Sequence, residues 1–263
     1  MGSWLQAIIL GIVEGVTEFL PISSTGHLII ASRVLGFQDT GGAFEIGIQF
    51  GAVLAVLWYY GKDLVAQAFM VTRDPGVQRF WLAILLAFIP AGIVGFLLAD
   101  YVTRYLFSPV VVALSLIVGG IVLWVLESIP RKPLAMRLEK VTLKQALIVG
   151  LAQVAALIPG VSRSGATIVG GMLAGMDRRT ATAFSFYLSL PTLGIATLYA
   201  MTRSLGALDQ GIFIDMAVAL VVSFVTALIS IHWLLRYVSH HSFKGFAVYR
   251  ILAGAVILLV AAL

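Results

Sequence analysis

The chain has 263 residues, 60% of them hydrophobic and only 11% charged, with a formal net charge of +5 and no cysteine. Soluble domains carry about 25% charged residues, so this balance excludes a soluble globular protein and indicates an integral membrane protein. Without cysteine there is neither a disulfide nor a thiolate metal site. The mean hydropathy of +1.04 is spread over the whole length, so the chain reads as one membrane domain, 1–263. Its N-terminus lacks a basic n-region and a small-residue cleavage motif, and is read as part of the mature fold.

Residues 4–20 are predicted to form an apolar helix that carries Glu14 and Glu18. Their i, i+4 spacing projects both carboxylates from one face. Pro21 ends this helix, and Ser23, Ser24, Thr25 and Gly26 make a turn-forming break before His27 and a short helix over 26–36. An ionised side chain at membrane depth costs at least ~2.5 kcal/mol, so two of them beside a hydroxyl-rich break point to a polar site. Neither piece reaches the roughly 20 apolar residues of a spanning helix. Together they read as a re-entrant hairpin, tolerated only where protein or a wet cavity surrounds the break. Six spans come next, at 44–60, 80–99, 108–128, 179–201, 213–235 and 245–263. Trp58, Tyr59, Tyr60, Trp81, Trp124 and Trp233 fall near their ends, as interfacial aromatics do. Pro90 and Pro191 lie inside spans and are predicted to kink them.

Between the third and fourth spans, 142–175 forms a second helix–break–helix that repeats the first. QAIILG at 6–11 matches QALIVG at 145–150, and at the same offset of 139 residues Ser23 meets Ser162 and Gly26 meets Gly165. Each half is a hairpin plus three spans, repeat 1 over about 4–128 and repeat 2 over about 142–263. An odd number of spans inverts one half relative to the other. The predicted fold is therefore an all-α polytopic membrane protein, with six transmembrane helices and two re-entrant helical hairpins in an inverted-topology repeat. In this topology twelve basic residues, Arg131 among them, lie on one side of the membrane and only Arg33, Arg104 and Arg203 on the other. That bias follows the positive-inside rule, accounts for the net charge and removes any need for a nucleic-acid partner. It puts the first hairpin and both termini on the extracytoplasmic side.

The second break reads Pro159, Gly160, Val161, Ser162, Arg163, Ser164, Gly165. A helix N-terminus beside such a break favours anions, and the planar fork of Arg163 matches phosphate; pairing with Glu14 or Glu18 is the other role open to it. If the two breaks meet near the midplane, Glu14, Glu18, Ser24 and His27 come close to Ser162, Arg163 and Ser164. Paired carboxylates facing a phosphate loop suit a divalent cation, Mg²⁺ or Ca²⁺, held by Glu14 and Glu18. His27 is placed to act as acid or base. Ser23, Thr25, Gly160, Ser162, Ser164 and Gly165 are candidates to line the anion. Glu45 and Gln49 are a further i, i+4 polar pair that can face the same cavity. His232, His240 and His241 read as solvated or headgroup-facing.

The runs EGVTEFLPISSTGH at 14–27, FEIGIQFG at 44–51 and PGVSRSG at 159–165 resemble the bacterial undecaprenyl-diphosphate phosphatase family linked to bacitracin resistance. The resemblance covers the whole chain. It implies a multi-pass protein of the bacterial inner membrane that removes the terminal phosphate of undecaprenyl diphosphate, with Glu14, Glu18, Ser24, His27 and Arg163 as essential residues. It also implies a divalent-cation requirement; a homodimer is left open. The nucleophile is either Ser24, with His27 as its acid/base partner, or an activated water. Architecture alone equally admits a secondary transporter or flippase of an anionic lipid or solute. A histidine-nucleophile lipid phosphatase wants a second histidine after Arg163, and none occurs before His232.

Overall fold

The computed structural model describes residues 3–37, 43–130, 132–204 and 210–262. Among these described residues eleven α-helices follow one another: α1 (Ser3–Thr17), α2 (Ser24–Leu35), α3 (Ala43–Tyr59), α4 (Gly61–Met70), α5 (Pro75–Tyr105), α6 (Pro109–Ser128), α7 (Leu143–Val154), α8 (Arg163–Leu173), α9 (Arg178–Ser204), α10 (Gln210–His240) and α11 (Lys244–Ala262). The starts are written in the sequence. Asp74 and Ser108 accept hydrogen bonds from the first turns of α5 and α6, and each is followed by a proline at the first helical position. Thr142 and Gln145 close a capping box on α7. Among the described residues there is no β-strand, only one isolated bridge between Ala135 and Met176.

Among the described residues four helices are long and apolar enough to cross a membrane: Pro75–Tyr105, Pro109–Ser128, Arg178–Tyr199 and Ile214–His240. Shorter apolar helices occur at Trp4–Thr17, Gly47–Tyr59 and Leu143–Leu157. Large apolar side chains such as Ile93, Phe96, Leu97, Val118 and Val221 stay exposed on the long helices, which is how lipid-facing surface is made. The protein is an all-helical integral membrane protein.

Each sequence-predicted span falls on a helix, with shifted ends. The expected first helix of 4–20 stops at Thr17, and Glu18 stands just beyond its end, tied back by its N–H to the Glu14 carbonyl at 2.9 Å. Pro21 acts ahead of itself here, because the residues leading into a proline avoid helical geometry. Helix α4, with no buried residue, was not expected at all; its mixed composition lacks a spanning signature. Pro90 and Pro191 both lie within continuous helices. Arg131, one of the twelve basic residues of the expected topology, lies outside the described residues.

At about 1.5 Å of rise per residue, none of α1, α2, α7 or α8 reaches the ~30 Å of a bilayer core. The helices pack crosswise. α1 lies on α10 and α7 on α5, so the first arm of each hairpin is held by a long helix of the other half. Helices α3 and α9 meet between them, and α6 packs along α11. Gly11 and Gly15, one turn apart on α1, allow the first of these contacts. A Cβ at Gly11 would overlap the Ala219 carbonyl, and one at Gly15 the Ser223 carbonyl and Thr226 hydroxyl of α10. Glu14 is carried on this tightly seated helix.

Candidate active site

The breaks after α1 and α7 lead into helices whose first residues are Ser24 and Arg163. The residue before each, Ser23 and Ser162, has positive φ, 70° and 75°; among the described residues no other non-glycine does. Such geometry costs on the order of 1–3 kcal/mol for a side chain with a Cβ and persists only when surroundings enforce it. The two strained serines occupy matching positions at the offset of 139.

The tips touch. Arg163 Nη2 donates to Glu18 Oε1 at 3.0 Å, and Ser24 Oγ donates to Glu18 Oε2 at 2.5 Å. Glu18 thus joins the hydroxyl of one break to the guanidinium of the other. Ser164 Oγ donates to the Leu20 carbonyl at 2.8 Å and shares a 3.0 Å contact with Ser162 Oγ, which in turn accepts from Gly165 N. These two hydroxyls bind the breaks together. Arg163 is steadied from α9, its Nη1 donating to the Ser185 carbonyl at 3.2 Å, while Thr167 and Ser185 share a 2.6 Å hydroxyl contact. Its guanidinium also lies over the Phe19 ring, 5.6 Å from the centroid.

Around these tips, among the described residues, two buried atoms are left without a hydrogen-bond partner: Glu14 Oε1 and Arg163 Nε. Glu14 is only 1% exposed and lies within electrostatic reach of Glu18, Glu45 and Arg163. An unpartnered buried acceptor beside further carboxylates fits a cation, and an unpartnered buried cationic N–H fits an anion. Among the described residues no group of three or more His, Cys, Asp or Glu is arranged to hold a metal ion. Mg²⁺ needs no such cage, since it takes one or two carboxylates and fills its shell with water and substrate phosphates. Glu14 fits that role directly. Glu18 already accepts two hydrogen bonds, yet a carboxylate offers about four lone-pair sites.

His27, read from the sequence as a candidate acid/base partner of Ser24, takes its hydrogen bonds from other groups. Its Nδ1 is 2.7 Å from the Ser23 carbonyl, which only accepts, so Nδ1 carries the proton. Its Nε2 then accepts from the Tyr249 hydroxyl at 2.6 Å, and the two rings stack with centroids 5.6 Å apart. The next residue, Arg250, is 1% exposed and sends its guanidinium to five carbonyls. They are Pro21 at 3.0 Å, Gly160 at 3.2 Å, Val161 at 2.9 Å, Ser115 at 3.3 Å and Leu116 at 3.4 Å. Both breaks are therefore tied to one side chain of α11. Thr25 is half-buried at the mouth of α2, and Gln49 accepts from Thr197 at 3.4 Å.

The family description "Bacitracin resistance protein BacA" matches residues 7–256. This chain belongs to the BacA family. It is 49% identical over 263 residues to the undecaprenyl-diphosphatase of Deinococcus radiodurans, covering 98% of this chain and 96% of that protein. It is 48% identical to the undecaprenyl-diphosphatase of Albidiferax ferrireducens, covering 97% and 94%, and 44% identical to undecaprenyl-diphosphatase 3 of Acinetobacter baylyi, covering 97% of each. The matched residues include both breaks that Glu18 and Arg250 join. Tyr249, Arg250, Ser185 and Thr167 escaped sequence reasoning. The signal available for Arg250 was an unpaired cation early in an apolar segment; Tyr249 carried none.

Proposed function

We propose that this protein hydrolyses undecaprenyl diphosphate to undecaprenyl phosphate and inorganic phosphate, as the names of its relatives suggest. The observation that carries the reading is the Ser24–Glu18–Arg163 chain of hydrogen bonds joining the two breaks. The N-termini of α2 and α8 converge there, and both favour an anion. Arg163 Nε is the free donor for the diphosphate. The prenyl tail leaves along the apolar, lipid-facing helices.

In this reading Ser24 attacks the terminal phosphorus. As the Oγ–P bond forms, Ser24 passes its proton to Glu18, to which it is already bonded. The bond between phosphorus and the bridging oxygen breaks, and undecaprenyl phosphate leaves with the electron pair. Water, deprotonated by His27, then attacks the phosphoserine phosphorus; the P–Oγ bond breaks, Glu18 returns its proton to Ser24 Oγ, and inorganic phosphate is released. His27, its tautomer held by the Ser23 carbonyl and the Tyr249 hydroxyl, presents Nε2 through the phenol. The Ser24 route is favoured over direct water attack because the base contact is already made. A divalent cation, Mg²⁺ or Ca²⁺, held by Glu14 and Glu18, would supply charge neutralisation and polarise phosphoryl oxygens.

The topology proposed with this function is six spanning helices and two re-entrant hairpins, α1–α2 and α7–α8, in inverted repeats over about 4–128 and 142–263. The crosswise packing of α1 on α10 and α7 on α5 supports it, since each contact is the repeat equivalent of the other. The membrane is the bacterial inner membrane, and the basic imbalance assigns the first hairpin to the extracytoplasmic face. Purified protein in detergent should release phosphate from undecaprenyl diphosphate when Mg²⁺ or Ca²⁺ is added. Failure to release it, combined with movement of the intact lipid between leaflets of a vesicle, would establish a flippase instead.

A further inference from the structure

Away from the catalytic centre, α10 ends in two parallel ridges. His232, Arg236 and His240 recur every fourth residue, and so do Trp233, Tyr237 and His241. Fourth-residue spacing lines each set up along one face of the helix. The second ridge is a ring stack, with centroids 5.0 Å apart between Trp233 and Tyr237 and 4.7 Å between Tyr237 and His241. The first is exposed along its length. Arg179 at the start of α9 and Tyr59 at the end of α3 complete an open groove of 1130 Å³.

The groove carries no Asp or Glu in its lining, and among the described residues neither Arg179 nor Arg236 makes an ion pair. Arg178, next in sequence, shows the contrast: it is held by Glu127, with 2.8 Å between Nε and Oε1. Two unpaired guanidinium groups facing one concavity are a standing demand for an anion. Leu228 and Ile229 extend the same groove toward the middle of α10, giving it an apolar floor. The groove lies at the end of the molecule where basic residues are concentrated, with Lys62, Arg178 and Lys244.

We infer that this groove binds an anionic phospholipid of the leaflet at the basic end. The phosphodiester sits between Arg179 and Arg236, the glycerol against the Trp233–Tyr237 stack, and an acyl chain along Leu228 and Ile229. Basic pockets between membrane helices recognise lipid headgroups in this way, and aromatic rings sit at the depth of the glycerol. A free anion has no use for the apolar floor. A zwitterionic headgroup would bring its own cation against two arginines. The inference does not rest on the hydrolase reading, because none of these residues belongs to the site around Glu18.

Native mass spectrometry of the full-length protein in detergent, offered equal phosphatidylglycerol and phosphatidylcholine, tests this. Two arginines at roughly 1 kcal/mol each predict a preference for phosphatidylglycerol of about tenfold or more. The Arg179→Gln/Arg236→Gln double variant should fall to near parity, and Arg179→Lys/Arg236→Lys should keep most of the preference. Arg137→Gln/Lys140→Gln removes two charges outside the groove and should leave the preference intact. Parity in the wild type overturns the inference. So does an equal loss in the Arg137/Lys140 variant, which would reveal general surface attraction, or displacement of phosphatidylglycerol by excess inorganic phosphate, which would reveal a simple anion site.

Discussion

Glu18 holds a hydroxyl and a guanidinium at once, and removing one or the other separates the roles of its neighbours. With Ser24→Ala the proposed nucleophile is gone. Radiolabel from terminally labelled substrate, trapped by acid quench on the wild type, should be absent from the variant, and turnover should fall by a factor of about 10² or more. Undiminished turnover would assign the attack to water. Arg163→Lys keeps the charge but loses the fork that reaches Glu18 and Ser185 and the Nε proposed to meet the diphosphate; a loss of about a hundredfold in kcat/KM is expected. For Tyr249→Phe the stack on His27 survives while the donor to Nε2 is lost. Steady-state kinetics should show kcat lowered by about tenfold with KM little changed, as expected of a residue that positions a proton-transfer group. Glu14→Gln should raise the divalent-cation concentration needed for half-maximal turnover. At this scale the meeting of Glu18, Ser24 and Arg163 at the two breaks was legible in the sequence, since charge and hydroxyls inside an apolar chain carry their own signal. The direction of the His27 ring was not, because three residues of sequence separation says little about direction at the start of a helix. Tyr249 could not be found, as only the folded chain brings it 222 residues back to His27.

At the scale of elements, the helices were readable from hydropathy, and every expected span lies on a helix. Boundaries were read less well. Hydropathy marks the apolar stretch, while capping residues and packing decide where a helix ends, so α5 and α10 run to 31 residues each, well past their apolar centres. The seat of α1 on α10 depends on two missing side chains. Gly15→Val should lower thermal stability by about 1–3 kcal/mol, because the new Cβ meets backbone that has no room to withdraw. Gly61→Ala, where a Cβ meets nothing within 4 Å, is the matching control and should melt with the wild type. Differential scanning fluorimetry in detergent checks both. Equal melting of the two variants would remove the close α1–α10 approach from the account of how Glu14 is placed.

Across the whole molecule, one side chain holds the two breaks together. Arg250→Met would leave the carbonyls of Pro21, Gly160 and Val161 short of a donor, at about 1–3 kcal/mol for each group left unsatisfied. Hydrogen exchange should then rise at 20–24 and 159–163 together, the sign of a shared tether; a rise in one break alone would show that each is supported separately. The tether has a bearing on the lipid environment too. Long helices answer a thicker or thinner bilayer by tilting, at a modest energy per ångström. The gap between the Ser24 and Arg163 tips is set instead by Arg250 and Glu18, deep inside the protein and indifferent to where the bilayer surfaces lie. Turnover should accordingly change by less than about twofold between bilayers of short and long acyl chains, and Arg250→Met should make it follow chain length.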